Sequence, residues 1–244
     1  MDTVEFFREN AYVVLPDVLS PDEIACYQAL FDRDRRDFGY MWRSFAFHQT
    51  INCDALVSTP EFDGIIRHPN ILPVIEELMS GEVCFSEICI RHMARFDGEP
   101  FQGWHRDRPH WLEHPLRMDY IQLMVYLTDV DATTHCFSIS PESVGEPTRD
   151  NDAQLAARGS VDLHGPAGTC VLFNVAALHT ATVRVTQAER KSVQIYYGHP
   201  TRPYLSNDSV IPATFWRDHP DDAVRRFYGN LNDRTRLYLA ALHG

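Results

Sequence analysis

Gly103-Trp104-His105-Arg106-Asp107 is the stretch from which the rest of the chain is read. Alternate side chains of an extended chain share a face, so His105 and Asp107 point into the same space. An imidazole nitrogen and a carboxylate oxygen placed together begin a metal site. A third, distant histidine would complete a two-histidine, one-carboxylate facial triad, the donor set that holds non-heme Fe(II) and leaves positions open. His-x-Asp alone is a common tripeptide, so its meaning depends on the sequence around it.

Upstream, Ala11 to Leu15 reads as a strand. Ser20-Pro21-Asp22-Glu23 is a helix start, with Ser20 as cap, Pro21 in the first turn and Glu23 completing a capping box. Ile24, Tyr27, Leu30 and Phe31 follow at helical spacing, and the mixed-charge run Asp32 to Asp37 reads as a solvated helix end. Residues 38–58 lack periodicity and are expected to be an irregular cover. Phe62 to Met79 reads as two helical pieces broken at His68-Pro69. From Val83 to Met93 the period changes to two.

Downstream, Tyr120 to Leu127 is a strand with two distinct faces. Tyr120, Gln122, Met124 and Tyr126 share one; Ile121, Leu123, Val125 and Leu127 share the other. Short strands follow at Cys136–Ile139, Thr169–Asn174 and Arg190–Gly198, with a polar excursion at 141–160 holding a short helix near Ala153 to Ala157. A last helix is expected from Asp233 to Leu242. Helices first and many short strands after predict a mainly β sandwich or barrel with helices packed outside it.

Four histidines lie downstream of the motif: His135, His164, His179 and His199. His179 is best placed as the third ligand, because it follows a strand and sits at an element edge; His135 is next. Arg190, Ser192, Gln194 and Tyr196 share one face of the last strand. A central strand buries such a face only beside something polar. With Tyr120, Gln122 and Tyr126 it implies a cavity lined by hydrogen-bonding groups; the alternative is the solvent side of a sheet. Arg190 is suited to bind a carboxylate through two parallel hydrogen bonds, with Ser192 adding a donor.

The chain has 244 residues and a net charge of −12, with 34 acidic against 22 basic residues. That balance argues against a nucleic-acid or anionic-membrane partner. No apolar run is long enough for a membrane span, and Met1-Asp2-Thr3-Val4-Glu5 does not resemble a signal peptide. The six cysteines have no C-x-x-C spacing and read as buried free thiols in a reducing, cytoplasmic compartment.

Taken together, His105-Arg106-Asp107, the distal His179 and the Arg190 beyond it resemble the phytanoyl-CoA dioxygenase-like family of Fe(II)/2-oxoglutarate-dependent oxygenases. Glu5-Phe6-Phe7, Tyr12 to Leu15, Leu19 to Ile24 and Gly168 to Asn174 are similar to the same family, so the likeness spans roughly residues 5 to 198. It implies a double-stranded β-helix, the cupin-like jelly roll, as one oxygenase domain over 1–244. A helical cover would occupy about 1–82, the β core about 83–198 and a packing segment 199–244.

The resemblance further implies that His105, Asp107 and His179 hold Fe(II), with 2-oxoglutarate and O2 as cosubstrates, and that Arg190 binds the far carboxylate of 2-oxoglutarate. Ser192, Gln122, Arg95 and His92 are further candidates for cosubstrate contact. The implied reaction is hydroxylation of an unactivated C–H of a small molecule, with release of succinate and CO2. No basic cluster awaits the phosphates of a coenzyme A thioester, so a free metabolite is expected. The alternatives are a metal- or ligand-binding jelly roll without redox chemistry, and the same iron centre performing desaturation, epimerisation or ring closure.

Two departures stand out. Ser140-Pro141-Glu142-Ser143 occupies the stretch where many relatives carry Pro-Gly-Ser-His. Ala181, beside Thr180, takes a position where a small hydroxyl residue is common. Halogenating relatives replace the metal carboxylate; Asp107 is present, which favours hydroxylation.

Overall fold

The computed structural model describes residues 2–243. Among the described residues eleven strands form two antiparallel sheets. They are β1 (Tyr12–Leu15), β2 (Arg43–Phe45), β3 (Gln49–Asn52), β4 (Cys84–Met93), β5 (Phe101–Gln102), β6 (Tyr120–Tyr126), β7 (Cys136–Ile139), β8 (Val161–Leu163), β9 (Cys170–Asn174), β10 (His179–Val183) and β11 (Arg190–Gly198). The larger sheet runs β1-β9-β6-β11-β4-β3-β2 and the smaller β5-β10-β7-β8. This is the expected mainly β, jelly-roll architecture with flanking helices.

The helices are α1 (Thr3–Asn10), α2 (Pro21–Asp37), α3 (Ala55–Ser58), α4 (Asp63–Ile66), α5 (Leu72–Leu78), α6 (Asn151–Arg158), α7 (Ala213–Trp216), α8 (Asp222–Phe227) and α9 (Asp233–His243). No helix among the described residues is long and apolar enough to cross a membrane. Helix α2 begins as its sequence requires. Ser20 Oγ accepts from the Glu23 N–H at 3.3 Å, and Glu23 Oε2 accepts from the Ser20 N–H at 2.8 Å.

The two faces of β6 and β11 explain the layering. Ile121, Leu123 and Val125 join Val193, Ile195 and Tyr197 in the core that the larger sheet shares with the helices. The opposite face carries Gln122, Met124 and Tyr126 beside Gln194, Ser192 and Tyr196, paired across the strands as Gln122↔Tyr196, Met124↔Gln194 and Tyr126↔Ser192. Part of that inner face packs on the smaller sheet through Tyr126, Phe173, Phe137 and Ile139. The rest encloses a polar space.

Several expectations are corrected. Residues 38–58 hold two strands: Thr50 and Ile51 pair with His92 and Arg91, extending the sheet beyond β4. Strand β1 also joins that sheet, Tyr12 opposite Phe173, so the first 82 residues supply sheet edges as well as cover. Asp34, expected in a solvated run, is fully buried and accepts from Trp42 Nε1, Asn52 Nδ2 and Thr59 Oγ1 at 2.8, 3.0 and 2.7 Å. Cys26 is exposed, whereas the other five free cysteines are buried. The strands β5, β8 and β10 are too short or too polar to announce themselves by period.

Candidate metal centre and cosubstrate pocket

His105 and Asp107 lie in the connection after β5, and His179 opens β10. Two backbone hydrogen bonds of 3.0 Å join His105 and His179 directly, and the Asp107 N–H donates to the Val175 carbonyl at 3.0 Å. Residues far apart in sequence are thus held side by side by main-chain pairing. Nε2 of His105 is 3.4 Å and Nε2 of His179 is 3.7 Å from the same Asp107 oxygen, Oδ1. The three donor atoms all lie within 4.8 Å of one another.

The donor chemistry fits a divalent transition metal. Nδ1 of His105 lies 2.7 Å from the Gly103 carbonyl and Nδ1 of His179 lies 2.9 Å from the Ala177 carbonyl. A carbonyl can only accept, so each Nδ1 carries a proton, and each Nε2 is the atom that would meet a metal. Burial pushes the His179 pKa down to about 4, which keeps that ring neutral. The hydrogen bond with Asp107 outweighs burial at His105 and raises its pKa. Burial pushes the Asp107 carboxyl up, but the bond from His105, the neighbouring imidazoles and the bond from Tyr196 more than offset this, leaving it below the ordinary value.

These three side chains open on a cavity of about 170 Å³, also lined by Arg91, Gln122, Arg190, Gln194 and Tyr196, with Phe45 and Phe101 among its walls. Arg190 is 2% exposed, and its Nε and Nη1 have no partner in the protein. Among the described residues no carboxylate pairs with it. A buried cation without an anion is costly, and this guanidinium is free to accept an acidic partner.

The sequence candidates separate clearly. Gln122 lines the cavity and donates to Gln194 Oε1 at 2.9 Å. Ser192 is buried on the same strand face as Arg190, with its Oγ unpartnered. His92 does not reach the cavity. It points through the other face of β4, where Nε2 meets Glu189 Oε2 at 2.8 Å. Arg95 is exposed past the end of β4 and is likewise away from the cavity. His135 meets the Ala94 carbonyl at 2.9 Å and is not one of the three clustered donors.

Arg91 was missed, although alternation contained the signal. On β4, Glu87, Cys89 and Arg91 lie opposite Tyr196, Gln194 and Ser192. His92 shares the face of Ile88 and Ile90, which belong to the helix-side core. Tyr196 was visible as part of a polar face, but its bond to Asp107 was not: its phenol donates to Asp107 Oδ2 at 3.1 Å.

A jelly roll whose open end gathers two histidines, one carboxylate and a buried arginine defines a class, the non-heme iron, 2-oxoglutarate-dependent dioxygenases. The chain belongs to the phytanoyl-CoA dioxygenase family, whose model matches residues 7–192. It is similar to an ectoine dioxygenase of Stutzerimonas stutzeri (strain A1501), at 24% identity over 98% of this chain and 88% of that one. Among solved structures, EctD from S. alaskensis with 2-oxoglutarate and 5-hydroxyectoine superposes with a TM-score of 0.70 and 18% identity, covering 92% of this chain and 86% of that one. The non-heme alpha-ketoglutarate-dependent carbocyclase SnoK from nogalamycin biosynthesis also gives 0.70 and 18%, covering 84% and 86%. At such identity these structures establish the shared fold.

Proposed function

We propose that this dioxygenase hydroxylates an unactivated C–H bond of a small free metabolite, using Fe(II) held by His105, Asp107 and His179. The observation that carries the reading is Arg190, a buried and unpartnered guanidinium in the same cavity as the triad. Bound there, iron with 2-oxoglutarate and O2 supplies the oxidising power, and 2-oxoglutarate leaves as succinate and CO2.

The chain's own residues bind and orient. The two imidazoles and Asp107 Oδ1 would hold the metal. Arg190 receives the distal carboxylate of 2-oxoglutarate in a planar fork, and Ser192 adds a donor beside it. Gln122 and Gln194 present a joined pair of amides to the cavity. Arg91 gives the cavity a second positive charge, which suits an acidic group on the substrate. Phe45 stacks near that guanidinium, 5.2 Å from ring centre to the guanidinium carbon, and shields it from water.

A cavity of about 170 Å³ suits a cosubstrate and a small reacting group. The ectoine dioxygenase relative also favours a small free substrate. We read the chain as one catalytic domain, because α2 and α8 from its two ends pack on the same sheet. Six free thiols suit a reducing, cytoplasmic setting.

The deciding experiment is anaerobic addition of 2-oxoglutarate to the Fe(II)-loaded protein. A weak visible charge-transfer band, followed by succinate on admission of air, is the expected result. Bound iron with neither band nor succinate would favour a metal-binding jelly roll. The resemblance in fold to a carbocyclase keeps ring closure as a second reading. Mass analysis separates them: hydroxylation adds an oxygen to the product, and ring closure removes two hydrogens.

A further inference from the structure

The stretch Ser140 to Ser143 leaves β7 beside the segment that carries His179, the Ser140 N–H donating to the Leu178 carbonyl at 2.8 Å. Glu142 is 9% exposed and does not line the cavity. Its Oε1 accepts from the guanidinium of Arg106 and, at 3.0 Å, from the backbone N–H of Leu178. Arg106 stands between the ligands His105 and Asp107, and Leu178 immediately precedes the ligand His179. One carboxylate oxygen therefore holds both ligand-bearing segments. The other, Oε2, lies 3.0 Å from Nε2 of His110.

The carboxylate is itself well anchored. The Glu142 N–H donates to the Asn10 carbonyl at 3.2 Å, and Gln154 Nε2 donates to the Pro141 carbonyl at 2.8 Å. On the Arg106 side, Nη1 donates to Asn151 Oδ1 at 3.0 Å, and Asn151 Nδ2 donates to the Trp104 carbonyl at 3.2 Å. The charged brace thus runs from α1 and α6 to both halves of the triad. Without it, the two segments are joined near the ligands by main-chain hydrogen bonds and by uncharged bonds to Thr180 and Thr182, such as that from the Gly103 N–H to Thr180 Oγ1 at 2.9 Å. Arg106 would also lose its buried anion, and an uncompensated buried charge drags its segment toward water.

We propose that Glu142 is a positioning residue for the metal centre, setting the separation of the His105–Asp107 pair from His179. The inference rests on the triad being the metal site. A plain structural ion pair would stabilise the fold without touching metal affinity, and that difference is measurable.

The test is anaerobic titration of Fe(II), and of Co(II) followed by its visible d–d bands, into the parent chain and Glu142→Gln. The near-isosteric amide loses the charge that Arg106 needs. Metal affinity should fall by roughly 10–100-fold, the usual cost of removing a group that orients a ligand, and the Co(II) bands should shift. Asp63→Asn is the control for stability alone. Asp63 opens α4, and the change weakens its pair with Arg67 and the 2.6 Å bond from Tyr228 at the end of α8. It should lower the melting temperature with metal affinity and spectrum unchanged. A folded Glu142→Gln with the parent's metal affinity and spectrum overturns the proposal. If Glu142→Gln does not fold, Arg106→Met is measured instead, with the same expected loss and the same overturning result. A parent chain that binds neither metal overturns the triad reading, and this inference with it.

Discussion

Tyr196 on β11 donates to Oδ2 of Asp107 at 3.1 Å, while Oδ1 of the same carboxylate faces Nε2 of His105 and His179. The phenol occupies one oxygen and leaves the other facing the two imidazoles. In the proposed metal site Asp107 would bind through that one oxygen. Tyr196→Phe removes a hydrogen bond to a charged group, worth about 1.5–3 kcal/mol. Fe(II) affinity, measured anaerobically, should fall about 10–100-fold. An unchanged affinity would mean that main-chain pairing alone orients Asp107.

Arg190 should separate cosubstrate binding from metal binding. Arg190→Lys keeps a charge but loses the planar fork, and Arg190→Ala loses both. Truncating a buried, hydrogen-bonded charge pair costs about 2–5 kcal/mol, or roughly thirty-fold to several thousand-fold in affinity. Titration with 2-oxoglutarate should show that loss for alanine and a smaller one for lysine, with iron occupancy unchanged. Parent-like 2-oxoglutarate binding in both would move the clamp to Arg91.

The two faces of β4 make a paired prediction. His92 and Arg95 do not reach the cavity, so His92→Ala and Arg95→Ala should bind 2-oxoglutarate as the parent does. Arg91 lines the cavity, and Arg91→Gln removes one of its two positive charges. It should weaken 2-oxoglutarate binding measurably, though less than Arg190→Ala. The same titration reads all four variants, and a loss in His92→Ala with none in Arg91→Gln would reverse the assignment of faces.

Glu87 predicts a pH dependence of stability. Burial raises its carboxyl from 4.5 to about 7, partly countered by its hydrogen bond with Ser206. The folded chain therefore holds this proton more tightly than the unfolded chain. The stabilisation is complete below about 4.5 and is lost as the pH rises through about 7. Glu87→Gln never has to ionise. Its stability relative to the parent should improve between pH 4.5 and pH 7 by on the order of 2 kcal/mol. Urea unfolding at the two pH values measures this, and a pH-independent difference would refute it.

Local pattern was enough for some of this protein. The capping box before α2, the two-faced strands β6 and β11, and His105 two residues from Asp107 are set by short-range geometry, with periods of 3.6 and 2. A polar face of Gln122, Ser192, Gln194 and Arg190 fitted either a cavity or the solvent side of a sheet, because burial without partners is costly, and only the burial of that face between the sheets chose the cavity. Strand pairing decided the rest. His179 meets His105 through main-chain bonds across two loops, and Tyr196 reaches Asp107 from 89 residues away. Glu142 joins segments 36 residues to either side, Arg106 before it and Leu178 after it. No local period encodes such contacts, since they follow from the register of strands that meet only when the sheets close. Arg91 and His92 show the boundary: one residue of register separates a side chain in the cavity from one against the helices, and β4 had to be placed beside β11 before that choice was made.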